Sequence, residues 1–244
     1  MVMCLFWGFF VLNSQGICAS HASAIYNLYQ KACGGDDFYH PKEKECKKAR
    51  QLFGEMMQQD PDMSSFQGEK WQSLGFQVVG VQENSRQYKA VIEKGIKKGR
   101  GFYLFSDPND SQTALMCPHS MKDLKTGAIG LQMMQIGNFV CAAFNTVPRY
   151  TSKDHDTQQQ DMAHVKQTYF LAFTKAFADT FPNGRLVQIH GFAKKKGPQQ
   201  PGKEQMSFSV TAVPSCSPEF SHLLRVCASR PISISPSIHW ISEN

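Results

Sequence analysis

Charge is scarce in this chain. Asp, Glu, Lys and Arg make up 19% of its 244 residues, below the roughly 25% of an average soluble protein. The net charge of +6 is small for a protein that coats nucleic acid, so no nucleic-acid partner is expected. Long hydrophobic runs are scarce as well. The one membrane-like run, Met1 to Leu12, falls short of the ~20 residues a spanning helix needs, which excludes a multi-span membrane protein. No C-x-x-C pair occurs, which argues against a structural zinc held by cysteines. Gly99-Arg100-Gly101 does not continue into a phosphate-binding loop, and Ser120 lacks the glycines of a nucleophile elbow. There is no internal repeat. Hydrophobic residues, at 41%, are still sufficient for a core, which excludes global disorder.

Two features bear on compartment. Met1 to Leu12 carries no charge, and small residues follow from Gly16 to Ala24. An apolar stretch followed by small residues reads as a signal peptide over 1–22, with cleavage between about Ser20 and Ala24. No Lys or Arg precedes the run, and the competing reading is a buried N-terminal strand or helix. The chain has eight cysteines. Cleavage after Cys18 leaves Cys33, Cys46, Cys117, Cys141, Cys216 and Cys227, and an even number in an exported chain favours disulfides. Cys33–Cys46 and Cys216–Cys227 are close in sequence, and Cys117–Cys141 would join two neighbouring strands. Spacing alone does not select among the possible pairings. The expected location is secreted or periplasmic, with no stable membrane insertion once the signal is removed.

Periodicity predicts helices over Ala24–Lys31, Lys42–Gln59, Leu124–Gln135 and Met162–Thr180, and a last one from Ser217 to about Cys227. Strands are predicted over Phe76–Val81, Gly101–Phe105, Thr113–Cys117, Asn138–Phe144, Arg185–Phe192 and Met206–Val213. The basic run Lys42 to Arg50 reads as a solvated helix face or a binding patch. Strands alternate with helices from Val78 to Cys227, which argues for an α/β domain with helices on both sides of a mixed, largely parallel sheet. The expected organisation is a helical segment over 23–70, the α/β domain over 71–230 and an irregular tail over 231–244.

Two histidines fall where predicted strands end: His119 in Cys117-Pro118-His119-Ser120, and His190 in Gln188-Ile189-His190-Gly191. Ligand sites of α/β sheets gather at the carboxyl ends of strands. A His, an acid a few residues later (here Asp123) and a distant His are the ligands a catalytic zinc needs, with a fourth position open for water. A strand-end His is as compatible with a structural role, so composition and spacing leave both readings open.

The segments Pro118-His119-Ser120, Asp123 with Thr126-Gly127, Asn145-Thr146-Val147-Pro148-Arg149, Asp161-Met162-Ala163-His164 and Gln188-Ile189-His190-Gly191-Phe192 occur in that order. In this order they resemble the bacterial zinc hydrolases related to N-formylglutamate amidohydrolase and to phage poly-γ-glutamate hydrolase. That group is similar in fold to the zinc carboxypeptidases. The resemblance covers roughly Gln82 to Val213. It implies a three-layer α/β/α fold and a single zinc held by His119, Asp123 and His190. It implies that Asn145 and Arg149 bind a substrate carboxylate, which a guanidinium grips with two parallel hydrogen bonds. Arg149 is also compatible with an ordinary ion pair. Asp161 and His164 are placed at the site, although Asp161 also suits a helix N-terminus.

The chain departs from that pattern in two places. The carboxypeptidase motif is H-x-x-E, whereas here the acid is Asp and lies one residue further on. Zinc-dependent amide hydrolysis also wants a carboxylate to take the proton from the metal-bound water. The late region, Arg230 to Asn244, has no acid before Glu243. The base therefore lies elsewhere, or the chain is truncated or divergent. The loop Lys194-Lys195-Lys196 with Lys203 reads as a solubilising loop or as an attractor of anions. The expected function is an exported zinc-dependent hydrolase cleaving an amide bond of a small acidic peptide-like or polyglutamate substrate, with Arg149, His164 and Asp161 in the catalytic set. The alternative is a non-catalytic or impaired metal- or ligand-binding protein on the same scaffold.

Overall fold

The structure, a computed structural model, describes residues 23–35, 38–58, 67–106, 111–121, 126–148, 165 and 167–189. Its elements are α1 (Ala24–Ala32), α2 (Glu43–Gln58), α3 (Gln67–Gln72), β1 (Phe76–Glu83), β2 (Arg86–Glu93), β3 (Phe102–Ser106), β4 (Thr113–Cys117), α4 (Thr126–Ile136), β5 (Cys141–Phe144), α5 (Tyr169–Thr180) and β6 (Arg185–Gln188). The strands form one mixed sheet in the order β1-β2-β3-β5-β4-β6, so the chain is of the α/β class. The strand and helix expected over Met206–Val213 and Ser217–Cys227 lie outside the described residues.

The sheet is not largely parallel. β1–β2, β2–β3 and β3–β5 pair antiparallel, while β4–β5 and β4–β6 pair parallel. The physical cause is a hairpin. Asn84 and Ser85 both have positive φ, 50° and 63°, as a tight two-residue hairpin turn requires, and such a turn only joins antiparallel neighbours. The second strand of that hairpin, β2, opens on the polar residues Arg86-Gln87, which obscure its alternation, and it was not expected from the sequence. The short α3 was not expected either.

Alternation along the strands builds two cores. Val81, Tyr88, Ala90, Ile92, Phe102, Leu104, Leu115, Cys117, Ala142, Phe144 and Val187 face α1 and α4. Phe76, Val91, Tyr103, Phe105, Ala114, Met116, Cys141 and Ala143 face α2, α3 and α5. The second core centres on Phe53 of α2, whose ring meets Trp71, Tyr103 and Phe173 at centroid distances of 5.0, 4.6 and 5.5 Å. The segment before residue 71 is thus packed into both faces of the sheet. Its basic run lies on a solvated face: Lys47 pairs with Glu43 at 2.7 Å, and Arg50 with Asp179 at 2.5 Å, all exposed.

Local chemistry sets the helix ends. Ser23 Oγ accepts from the Tyr26 backbone N–H at 3.1 Å and caps α1. Thr168 Oγ1 accepts from Leu171 N–H at 3.0 Å and caps α5. The helix expected from Met162 therefore starts at Tyr169, and Val165 is not helical.

Two of the expected disulfides are not formed, and packing explains why. Cys33 packs with the α1–α4 core and Cys46 with the α2–α5 core, on opposite sides of the sheet. Cys117 and Cys141 also point to opposite faces and are out of register, since Cys117 pairs with Phe144 and Cys141 with Ala114. All four are free thiols. Cys216 and Cys227 lie outside the described residues. Burial pushes the Cys33 thiol up to about 11, with the Tyr29 hydroxyl and Lys97 opposing the shift.

Phe53→Ala is expected to cost about 3–5 kcal/mol of stability, read by denaturant unfolding. A loss under about 1 kcal/mol would contradict the central place given to Phe53. Alkylation in denaturant without reductant should label Cys33, Cys46, Cys117 and Cys141, as peptide mapping would show. Because the folded Cys33 pKa is raised, its contribution to stability is complete below the ordinary thiol range near 9 and is lost as pH rises towards 11. Stability should therefore fall over that window, and Cys33→Ser should flatten the fall.

Candidate functional site

The helix that leaves β4 and the helix that leaves β5 pack on opposite faces: α4 on one, α5 on the other. Two adjacent parallel strands whose exits part in this way leave a crevice at their carboxyl ends, the usual ligand position in α/β sheets. His119 sits in the turn after β4, and Asn145 directly follows β5. The structure thus places these two sequence-predicted residues at adjoining strand ends. β6 joins them there, since the Ile189 N–H donates to the Met116 carbonyl at 2.9 Å. Ile189 is the residue before His190. Asp123, Arg149, Asp161, His164 and His190 themselves lie outside the described residues.

Hydrogen bonds tie the two loops together. The Asn145 N–H donates to the Cys117 carbonyl at 3.1 Å. Ser120 Oγ donates to the Asn145 carbonyl, and Thr126 Oγ1 donates to the His119 carbonyl at 3.3 Å. His119 is 6% exposed. Gly127 is needed next to Thr126, because a Cβ there would lie 2.5 Å from the Tyr29 hydroxyl and 2.9 Å from the Ser120 carbonyl. Burial raises the Tyr29 phenol far above its ordinary range, so it stands at this loop as a neutral hydroxyl.

Asn145 is turned inwards. It is 1% exposed, and its Oδ1 accepts from the Val147 N–H at 3.2 Å. That bond shapes the chain leading to Arg149. Its Nδ2 has no hydrogen-bond partner among the described residues.

Sequence reasoning missed a buried ion pair at the same edge. β2 runs in the direction of β5, so Glu93 at its end lies on the crevice side. Glu93 is 1% exposed. It accepts from Arg100 Nη1 and, at 2.8 Å, from the Lys98 N–H. The Arg100 guanidinium lies 4.1 Å from the centroid of the Tyr39 ring. The Tyr39 N–H donates to the Lys98 carbonyl at 2.7 Å, and the Gly101 N–H donates to Thr146 Oγ1 at 3.3 Å. The loop between β2 and β3 is therefore fastened to the segment after β5. The signal available in the sequence was an acid directly after Val91-Ile92, with a basic residue a few positions on.

No group of three His, Cys, Asp or Glu suited to a metal occurs among the described residues. Of the expected zinc ligands only His119 is among them. No described helix is long and apolar enough to cross a membrane.

Glu93→Gln leaves Arg100 without its counter-charge, and an expected loss of about 3 kcal/mol in denaturant unfolding follows. A neutral outcome would show that the pair does not hold the loop. Comparison of the chain with protein-family models, with curated proteins and with solved structures finds no match.

Proposed function

We propose that the chain is a zinc-dependent hydrolase that cleaves an amide bond of an acidic, peptide-like substrate, exported and built on a three-layer α/β/α scaffold. The observation that carries this reading is the parallel pairing of β4 with β5 and β6, which sets His119 and the residue before His190 at neighbouring strand ends. Helices on both faces of the sheet support the layered scaffold. His119, Asp123 and His190 would hold the ion. Their donor set, two imidazoles and one carboxylate, suits zinc with an open position. When bound, zinc would supply an acidified water and polarise the scissile carbonyl.

The chain's own residues orient and bind. Thr126 and Ser120 hold the His119 loop by its own and its neighbour's backbone. Asn145 acts on the substrate side by fixing the turn at Val147, from which the chain continues to Arg149. Arg149 would grip a substrate carboxylate through paired hydrogen bonds. Asp161 and His164 would complete the site.

A second reading, a binding protein without turnover, is favoured by one specific observation. Two described acids of the Tyr39–Arg100 cluster already have partners. Glu45 accepts from the Tyr39 hydroxyl at 2.8 Å and from the Lys42 N–H at 2.7 Å. Glu93 accepts from Lys98 and Arg100. Both carboxylates are engaged in holding the surrounding loops.

The test is metal content and turnover on the purified chain. The hydrolase reading expects one zinc per chain, lost in His119→Ala and in His190→Ala, together with release of glutamate from γ-glutamyl or N-formyl substrates. Zinc without turnover selects the binding protein. A wild-type chain that takes up no zinc ends both metal readings.

A further inference from the structure

A small cavity lies at the crevice edge, behind Asn145. Its described walls include Tyr39, Arg100, Tyr103, Asn145, Thr168 and Tyr169. Its volume is about 10 Å³. Three buried polar atoms on its lining residues have no hydrogen-bond partner among the described residues: Asn145 Nδ2, Tyr169 Oη and Arg100 Nε. Asn145 is 1% and Tyr169 2% exposed. Each buried donor left unmade costs about 1–3 kcal/mol, and native proteins leave few such groups. Asn145 Nδ2 and Arg100 Nε can only donate. Burial holds the Tyr169 phenol well above its ordinary range, so it is a neutral hydroxyl. These buried donors call for an acceptor.

We propose that this cavity is a binding site for a single water molecule that accepts from Asn145 Nδ2 and bridges it to Tyr169 Oη. Size admits water: a cavity of roughly 10–15 Å³ holds one such molecule. Charge agrees with this choice, because the Arg100 guanidinium is already neutralised by Glu93. The donor pattern agrees too, since a buried water characteristically makes two to four hydrogen bonds to otherwise unpaired groups.

The site has a positional role. Asn145 stands before, and Thr168 and Tyr169 stand after, the stretch of chain that carries Arg149, Asp161 and His164. A water shared by Asn145 and Tyr169 clasps the two ends of that stretch. One end is held further by Asn145 Oδ1 on the Val147 N–H. The other is held by Gln167 Nε2, which donates to the Pro41 carbonyl at 2.8 Å. Tyr169 is thereby a positioning residue, and its role does not depend on the identity of any metal or substrate.

The experiment is a crystal structure of the full chain at a resolution that shows ordered water, paired with magnetic relaxation dispersion of water nuclei, which counts long-lived internal waters. The expected result is a full-occupancy peak within hydrogen-bond distance of Asn145 Nδ2 and Tyr169 Oη. Tyr169→Phe should lose one long-lived water. In a double-mutant cycle, Tyr169→Phe and Asn145→Leu should be non-additive in unfolding free energy, because either change removes the same bridge. An empty cavity, a direct Asn145–Tyr169 hydrogen bond or an anomalous halide peak in a bromide-soaked crystal would each overturn the proposal. So would strictly additive variants.

Discussion

Strands β3, β4 and β5 have no polar face. Apart from Thr113 at the start of β4, their residues are all buried. Such strands are stable only when both sides of the sheet are covered, and the rest of the architecture follows from that demand. The helices must divide between the two faces, so α4 packs on one face and α5 on the other. That division opens the crevice between the ends of β4 and β5. His119 and Asn145 stand at those adjoining ends, in the loops that follow strands covered on both sides.

Polar order at the crevice is built from a few buried groups. The Glu93 carboxylate gathers the Lys98 N–H and the Arg100 guanidinium, so the turn after β2 closes on itself. Arg100 in turn lies over Tyr39, and the Gly101 N–H reaches Thr146. A charge pair removed from water repays its desolvation only when further hydrogen bonds complete it. Here those bonds go to backbone that borders the site, so loop shape and charge burial are set by the same atoms.

Much of the fold was legible in the sequence, and the exceptions have definite causes. Helices α1, α2 and α4 and strands β1, β3 and β4 stand within a few residues of where apolar spacing places them. β2 was missed because Arg86-Gln87 and Lys89 hide its alternation, and with it went the antiparallel half of the sheet. The turn at Asn84-Ser85 was the overlooked clue. α5 begins late because Thr168 caps it, a competition between side-chain and helical hydrogen bonding that periodicity does not register. Of the site, the placement of His119 at a strand end was legible from the apolar run Thr113–Cys117 before it. The inward turn of Asn145 was not, since it depends on Val147 two residues on. Glu93 and Arg100 were not legible as partners either, because the loop that joins them takes its shape from Tyr39 and Thr146.

Gly130 brings α4 so close to the sheet that a Cβ there would collide with Cys117 Sγ and with the Phe144 ring. The sulfur fills the clearance between helix and strand, and no spare volume surrounds it. A disulfide partner, or even one added oxygen, would have to lift the helix that begins at Thr126 and with it the backbone of His119. Cys117 is therefore kept a thiol by volume. Its presence reports the spacing between a helix and a sheet and says nothing of the redox state of the surroundings.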